Sequence, residues 1–121
     1  MTRNFDLIRF ILRAIESKPA GVPYTNISAF AEYDPATVYA HFDLLIDAGF
    51  LKGRMAKTMK GLAGVHINEL TWLGHDFLNA SADDSLWKKA KDTILKPGVS
   101  FTFDILLEWL KTQAATILTL P

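Results

Sequence analysis

The segment from Asp34 to Gly53 constrains the fold more than any other part of the chain. Asp34 is a favourable N-cap, Pro35 suits the first position of a helix, and Gly49 suits the left-handed residue just past its end. Four apolar residues recur between these signals at helical spacing: Val38, Phe42, Leu45 and Ile46. The segment therefore predicts a helix over residues 34–48 with one buried face, followed at once by a β-strand.

The composition is that of one folded domain. The 121 residues suit a single domain, and 50% of them are hydrophobic, well above the fraction found in disordered chains. The absence of cysteine excludes disulfides, thiolate metal sites and a cysteine nucleophile. The 13 basic and 13 acidic residues give a formal net charge of zero, whereas dedicated nucleic-acid binders are usually basic.

The N-terminal residues do not resemble a targeting segment. Asp6, Arg9 and Arg13 interrupt the apolar residues that a signal peptide would keep together. No uncharged apolar run approaches the roughly 20 residues of a membrane-spanning helix. We therefore expect a cytoplasmic protein.

Helical and strand patterns precede the central segment. Asn4 caps a predicted helix over residues 4–18, with Arg9 on or near its solvent side. Its apolar residues are Phe5, Leu7, Ile8, Ile11, Leu12 and Ile15. A short edge strand over residues 21–24 and a short helix over residues 27–32 are expected next.

Two strands are predicted after the central helix, over residues 50–57 and 65–70. They flank a loop over residues 58–64, which contains Gly61 and Gly64 and is too long for a two-residue hairpin turn. The pattern predicts a β-hairpin of the kind called a wing.

Three helices are predicted in the remainder. Thr71 begins one that ends near Ala82, Asp83 begins a second that Lys96-Pro97-Gly98 ends, and the third covers residues 103–118. The residues expected to be buried in the first two are Trp72, Leu73, Phe77, Leu78, Leu86, Trp87, Ala90 and Ile94.

This order of elements is that of a winged helix-turn-helix. The predicted fold class is mainly α with a small β-hairpin, a winged helix-turn-helix with two additional C-terminal helices. Residues 1–82 would form the winged-helix core. Residues 83–121 would form a C-terminal helical extension, packed on the core or at a dimer interface, within a single domain overall.

Five stretches of the chain resemble one known family. They are Asp6-Leu7-Ile8-Arg9 with Ile11-Leu12; Tyr39-x-x-x-Asp43-Leu44-Leu45-x-x-Ala48-Gly49-Phe50-Leu51; Leu70-Thr71-Trp72-x-Gly74-His75-Asp76-Phe77-Leu78-x-Ala80; Asp83-Asp84-x-x-Trp87-x-Lys89-Ala90-Lys91; and Ser100-Phe101-x-Phe103-Asp104. The family comprises small prophage-borne and bacterial winged-helix proteins, classed as a domain of unknown function. The resemblance implies the fold and a phage or mobile-element context, and no established activity.

The central helix is the element that enters the major groove in DNA-bound winged helices. Its face opposite the core is expected to present Ala36, Thr37, Ala40, His41, Asp43 and Leu44, with Tyr39 near the edge. Thr37, Tyr39 and His41 are able to bond phosphates or bases. The segment has three aspartates, which repel phosphate: Asp34, Asp43 and Asp47. It has no Arg or Asn to recognise a base. The alternative is a packing helix with a solvated or partner-facing polar side.

The predicted hairpin carries the densest positive charge. Its cations are Lys52, Arg54, Lys57 and Lys60, with no acidic residue between residues 52 and 64. Alternation along a strand places Lys52 and Arg54 on one face, and phosphate contacts there would bind a duplex with salt-sensitive affinity. The alternative is that these cations protect an edge hairpin from aggregation.

The histidines do not suggest catalysis. His41, His66 and His75 form neither a His-x-x-x-His pair nor a His-Glu-x-x-His helix, and no Gly-rich phosphate loop or catalytic-triad spacing is present. His75 is expected to be partly buried. We expect no enzyme activity, no catalytic residues, no cofactor and no metal.

The last predicted helix is apolar around much of its circumference. A dimer or partner interface is expected to use Phe103, Leu106, Leu107, Trp109 and Leu110. The alternative is that this helix folds back and completes a monomeric core.

The leading hypothesis is a small phage-type DNA-binding protein, a transcriptional regulator that binds double-stranded DNA as a homodimer without catalysis. The alternative is a protein-interaction module, an adaptor or inhibitor that does not bind DNA.

Overall fold

The predicted fold class is confirmed by a computed structural model, which describes residues 1–96 and 102–119 and side chains up to residue 115. Its elements are α1 (Phe5–Ser17), a short 3-10 helix (Ser28–Phe30), α2 (Pro35–Asp47), β1 (Leu51–Thr58), β2 (Gly61–Leu70), α3 (Trp72–Ala80), α4 (Asp84–Thr93) and α5 (Phe103–Thr119). The layout is mainly helical, with one antiparallel hairpin in the position of the wing.

The chain forms two compact units, Met1–His75 and Asp76–Pro121. In the first unit, α1 and α2 pack on each other and on the hairpin. The second contains the C-terminal half of α3 together with α4 and α5. The division lies within α3, and the boundary expected between residues 82 and 83 stays a prediction.

Helix α1 begins where its cap predicts. The Leu7 N–H donates to Asn4 Oδ1 at 3.1 Å, which satisfies one of the free amides of the first turn. The expected position of Arg9 on the solvent side is wrong, because its side chain is buried. Arg9 lines a surface cleft of about 520 Å³ with Phe10 and Tyr33.

Two short elements differ from the predictions. The strand expected over residues 21–24 is a single bridge, in which Tyr24 and Ile67 exchange both backbone hydrogen bonds. Pro23 has no N–H to extend the pairing. The helix expected over residues 27–32 is only the 3-10 turn, and its Phe30 ring lies edge to face with that of Phe42 in the core, 5.8 Å between centroids.

Helix α2 has both predicted end signals. The Asp34 carboxylate accepts from the Thr37 N–H at 3.3 Å, and Pro35 occupies the first turn. Gly49 has φ +84°, in the left-handed region that favours glycine. The chain turns directly from Gly49 into β1.

The hairpin turn is shorter than expected. The loop predicted over residues 58–64 is wrong, because Thr58 pairs with Gly61 and only Met59 and Lys60 connect the strands. Gly61, at φ +113°, is the first residue of β2, and Gly64 lies within the same strand. The glycines that suggested a loop therefore belong to a strand, which carries two irregularities in its register.

Helix α3 begins at the predicted cap, but the side chains buried near its start are not the predicted ones. Thr71 caps it, since the Gly74 N–H donates to Thr71 Oγ at 3.0 Å. Trp72 and Leu73, which were expected to be buried, are exposed at 84% and 37%. The buried stripe of this helix is Gly74, Phe77 and Leu78, and Ser81 just past its end continues the spacing, while Trp72 lies off it.

The second unit has an aromatic centre. The Phe77 ring lies edge to face with Trp87, 6.1 Å between centroids, and 5.3 Å from the ring of Phe103. The Leu86 N–H donates to the Asp83 carboxylate at 2.7 Å, so α4 begins at its predicted cap. The helix ends at Thr93, ahead of the expected stop at Lys96-Pro97-Gly98, of which Pro97 and Gly98 lie outside the described residues.

Candidate nucleic-acid interface

The outer face of α2 is acidic in the structure. Thr37 and Tyr39 are half-buried and lie within reach of solvent. Asp43 is half-buried and Asp47 exposed, while no residue from Pro35 to Asp47 is basic. A helix that presents carboxylates without cations repels a phosphate backbone.

His41 does not belong to that face. Its placement on the solvent side is wrong, because the side chain is fully buried. His41 Nε2 accepts from the Asn4 N–H at 2.9 Å, so the ring proton lies on Nδ1, which donates to the Thr37 carbonyl at 2.8 Å. His41 therefore joins the start of α1 to α2.

The four cations of the hairpin differ in whether they form an ion pair. Lys52 forms an exposed ion pair with Glu69, its neighbour across the hairpin, with 3.3 Å between Nζ and Oε1. Arg54, Lys57 and Lys60 are exposed and form no ion pair within the described part of the chain. The ion pair of Lys52 with Glu69 was not predicted from the sequence, because the two residues are far apart along the chain. The unpaired positive charge lies toward the tip of the hairpin.

The tip itself is closed by hydrogen bonds and carries an exposed apolar side chain. Thr58 Oγ accepts from the Lys60 N–H and donates to the Gly61 carbonyl, both at 3.2 Å, which closes the turn. Met59 lies between them, with an exposed fraction of 105%. No sequence pattern singles out Met59, because it lies among the residues predicted as a loop.

An exposed aromatic ring lies elsewhere on the first unit. Trp72 follows Thr71, whose N–H donates to the Phe50 carbonyl at 3.0 Å and whose hydroxyl donates to that of Gly49. These bonds hold the start of α3 against the turn between α2 and β1. Trp72 thus stands on an ordered part of the surface with its ring in solvent.

The residues expected at a dimer interface are mostly covered within one chain. Leu106, Leu107 and Leu110 are buried. Phe103 and Trp109 are half-buried. The use of these residues by a second copy or another partner stays a prediction.

The part of the chain that the structure describes holds no further candidate for site chemistry. No three acidic or histidine side chains there converge on a possible metal position. His75, expected to be partly buried, is exposed. None of the described helices has the length and apolar character needed to cross a bilayer.

Two comparisons with known proteins find relatives. A family model described as "Hypothetical protein (DUF2513)" matches residues 2–100. A protein of Haemophilus influenzae named "Uncharacterized protein" is 33% identical over 119 residues, which are 98% of this chain and 97% of its own length. No solved structure matches the chain significantly. Because the family model covers most of the sequence, the chain belongs to the DUF2513 family.

Proposed function

We propose that this protein is a winged-helix DNA-binding regulator that contacts double-stranded DNA through its β1–β2 hairpin, without catalysis. The observation that supports this is the group of three unpaired, exposed cations at the distal hairpin, Arg54, Lys57 and Lys60. Phosphate contacts by Lys and Arg supply most of the affinity of non-specific DNA binding.

The proposal assigns the contact to the hairpin rather than to α2. The segment from Asp34 to Asp47 carries three carboxylates and no cation, so it gains nothing by approaching phosphates. Of the residues expected to reach bases, only Thr37 and Tyr39 remain accessible. Phosphate contacts position a protein without specifying a sequence. The hairpin cations alone are therefore expected to bind many sequences with similar affinity, and other contacts would add specificity.

The experiment is a salt titration of binding to mixed-sequence duplex DNA, followed by fluorescence anisotropy. The slope of log K against log salt is negative, and each lost phosphate contact reduces its magnitude by about 0.9. Arg54→Ala, Lys57→Ala and Lys60→Ala together should therefore reduce that magnitude by about 2.7. Between 50 and 200 mM salt, the affinity of the wild type should then fall about 40-fold more than that of the triple variant.

The matched control removes the same net charge elsewhere. Lys88, Lys96 and Lys111 are exposed, and their joint replacement by Ala should leave the slope unchanged. Equal effects of the two triple variants would mean that only the net charge of the chain matters. Wild type that shows no binding to duplex DNA at 50 mM salt would contradict the proposal.

A second candidate function rests on the exposed Trp72. Trp is among the residue types enriched at energetically important positions of protein interfaces. Together with Asp43 and Asp47 on the outer face of α2, it would suit a partner with a basic surface. The test of this adaptor or inhibitor hypothesis is capture of a protein by this chain from nuclease-treated bacterial lysate. Trp72→Ala should abolish the capture, and the Arg54→Ala, Lys57→Ala, Lys60→Ala variant should retain it.

A further inference from the structure

We infer that Met59 is a wedge that enters the minor groove of bound DNA and bends the duplex. The inference rests on the proposed function, since it assumes that the hairpin contacts DNA. It adds a specific role for a residue that makes no contribution to the core. The observation behind it is the juxtaposition of a fully exposed apolar side chain with Lys57 and Lys60 at an ordered hairpin tip.

The position of Met59 has no explanation in the fold. Its side chain is exposed at 105%, whereas Val65 and Ile67 of the same hairpin are buried. Two-residue hairpin turns favour Asn, Asp and Gly. An apolar residue in this place gains nothing from the folded chain and gains most from a surface that removes it from water.

The tip is already arranged for insertion. The two hydrogen bonds of Thr58 close the turn, and the open space around Gly61 leaves one side without a side chain. A wedge on an ordered turn loses little freedom when it enters a groove, which lowers the cost of binding.

Cations lie on both sides of Met59 along the chain. Lys57 is the last residue but one of β1, and Lys60 follows Met59 directly in the turn. Phosphate contacts by these two side chains would hold the tip against the duplex. Proteins that insert an apolar wedge between base steps do so from the minor groove, so the unbranched Met59 side chain would enter there.

Apolar wedges of this kind, Met among them, partly unstack a base step and kink the duplex. The cost of unstacking depends on sequence, and TA steps deform more easily than A-tracts. Met59 would therefore produce a preference among DNA sequences without any hydrogen bond to a base.

The test uses the full chain and two 30-base-pair duplexes with fluorophores at their ends, one with central TA steps and one with an A-tract. Anisotropy reports binding, and energy transfer between the ends reports bending. Wild type should bring the ends of the TA duplex closer and bind it about fivefold more tightly than the A-tract. Met59→Ala should bind both duplexes equally, with an unchanged salt slope and no change in end-to-end distance. Met59→Leu should retain the bend.

The two measurements separate the inference from the proposed function. Binding by wild type without a change in end-to-end distance, or a bend that persists in Met59→Ala, would overturn the wedge and leave the hairpin contact standing. Absence of binding in anisotropy would overturn both. Because Met59 makes no contact with the core, circular dichroism should give the same spectrum for all three proteins.

Discussion

Gly74→Ala offers a test in which two physical arguments predict opposite signs. Ala is a better helix former than Gly by about 1 kcal/mol, so propensity alone predicts a stabilised α3. In the structure, a Cβ at position 74 would lie 2.3 Å from the backbone oxygen of Phe50. That oxygen belongs to the main chain of a tight turn and has no side-chain rotamer through which to move away.

The expected loss in free energy of unfolding follows from the movement of α3 away from the turn. Overpacking costs about 1–3 kcal/mol, and moving α3 from the turn strains the two hydrogen bonds that Thr71 makes to Gly49 and Phe50, at about 1 kcal/mol each. Less the propensity gain, the free energy of unfolding should fall by about 2–4 kcal/mol. Urea unfolding followed by far-UV circular dichroism measures it.

Gly49→Ala is the matched control. Its Cβ would meet no atom within 4 Å, and only the φ of +84° opposes it. That strain costs about 1–2 kcal/mol, so the control should lose less stability than Gly74→Ala. A Gly74→Ala variant as stable as wild type, or more stable, would refute the close approach of α3 to the turn.

Three further predictions concern single side chains. His41→Leu should lower the free energy of unfolding by about 1–3 kcal/mol in urea titrations, because the Asn4 N–H loses its acceptor. Burial raises the pKa of Tyr24 above 10.0, so the unfolded chain releases the hydroxyl proton at a lower pH than the folded chain. The free energy of unfolding should therefore fall as the pH rises above 10, and Tyr24→Phe should lessen this fall in thermal melts at alkaline pH. Trp72→Ala should change stability by less than about 0.5 kcal/mol, and acrylamide should quench the fluorescence of Trp72 more strongly than that of the buried Trp87.

Local signals along the chain predicted the ends of the helices well. Asn4, Asp34, Thr71 and Asp83 all cap helices as expected, because a capping side chain bonds an amide only two or three residues away. The Gly49 turn was predictable for the same reason. Such signals depend on neighbours in sequence and need no knowledge of the rest of the fold.

The errors arose where distant parts of the chain decide the outcome. Helical spacing alone allows more than one buried stripe, and the close approach of Gly74 to Phe50 selects the one that leaves Trp72 in solvent. For His41 a signal is present, since it shares the spacing of Val38, Phe42 and Leu45, but a polar side chain is ordinarily expected to face solvent. The partner of its Nε2, an amide of α1, was not visible from the sequence.

At the candidate site, composition located the cations of the hairpin but not their neighbours. Pairing across the strands brings Glu69 to Lys52, and the register needed to foresee this depends on two irregularities of β2. The same register places Met59 at the tip, where the sequence suggested a longer loop. Strand register is set by packing and turn geometry together, which a run of glycines does not reveal.

The hydrogen bond between Asn4 and His41 also has a consequence for the motions of the N-terminal turn. The first amides of a helix ordinarily exchange their hydrogens with water by local fraying, at little cost in free energy. Here the amide of the cap residue is bonded to a ring that lies on another helix and is fully buried. Its exchange therefore requires the bond to His41 on α2 to break, so the protection of this one amide reports the contact between the start of α1 and α2.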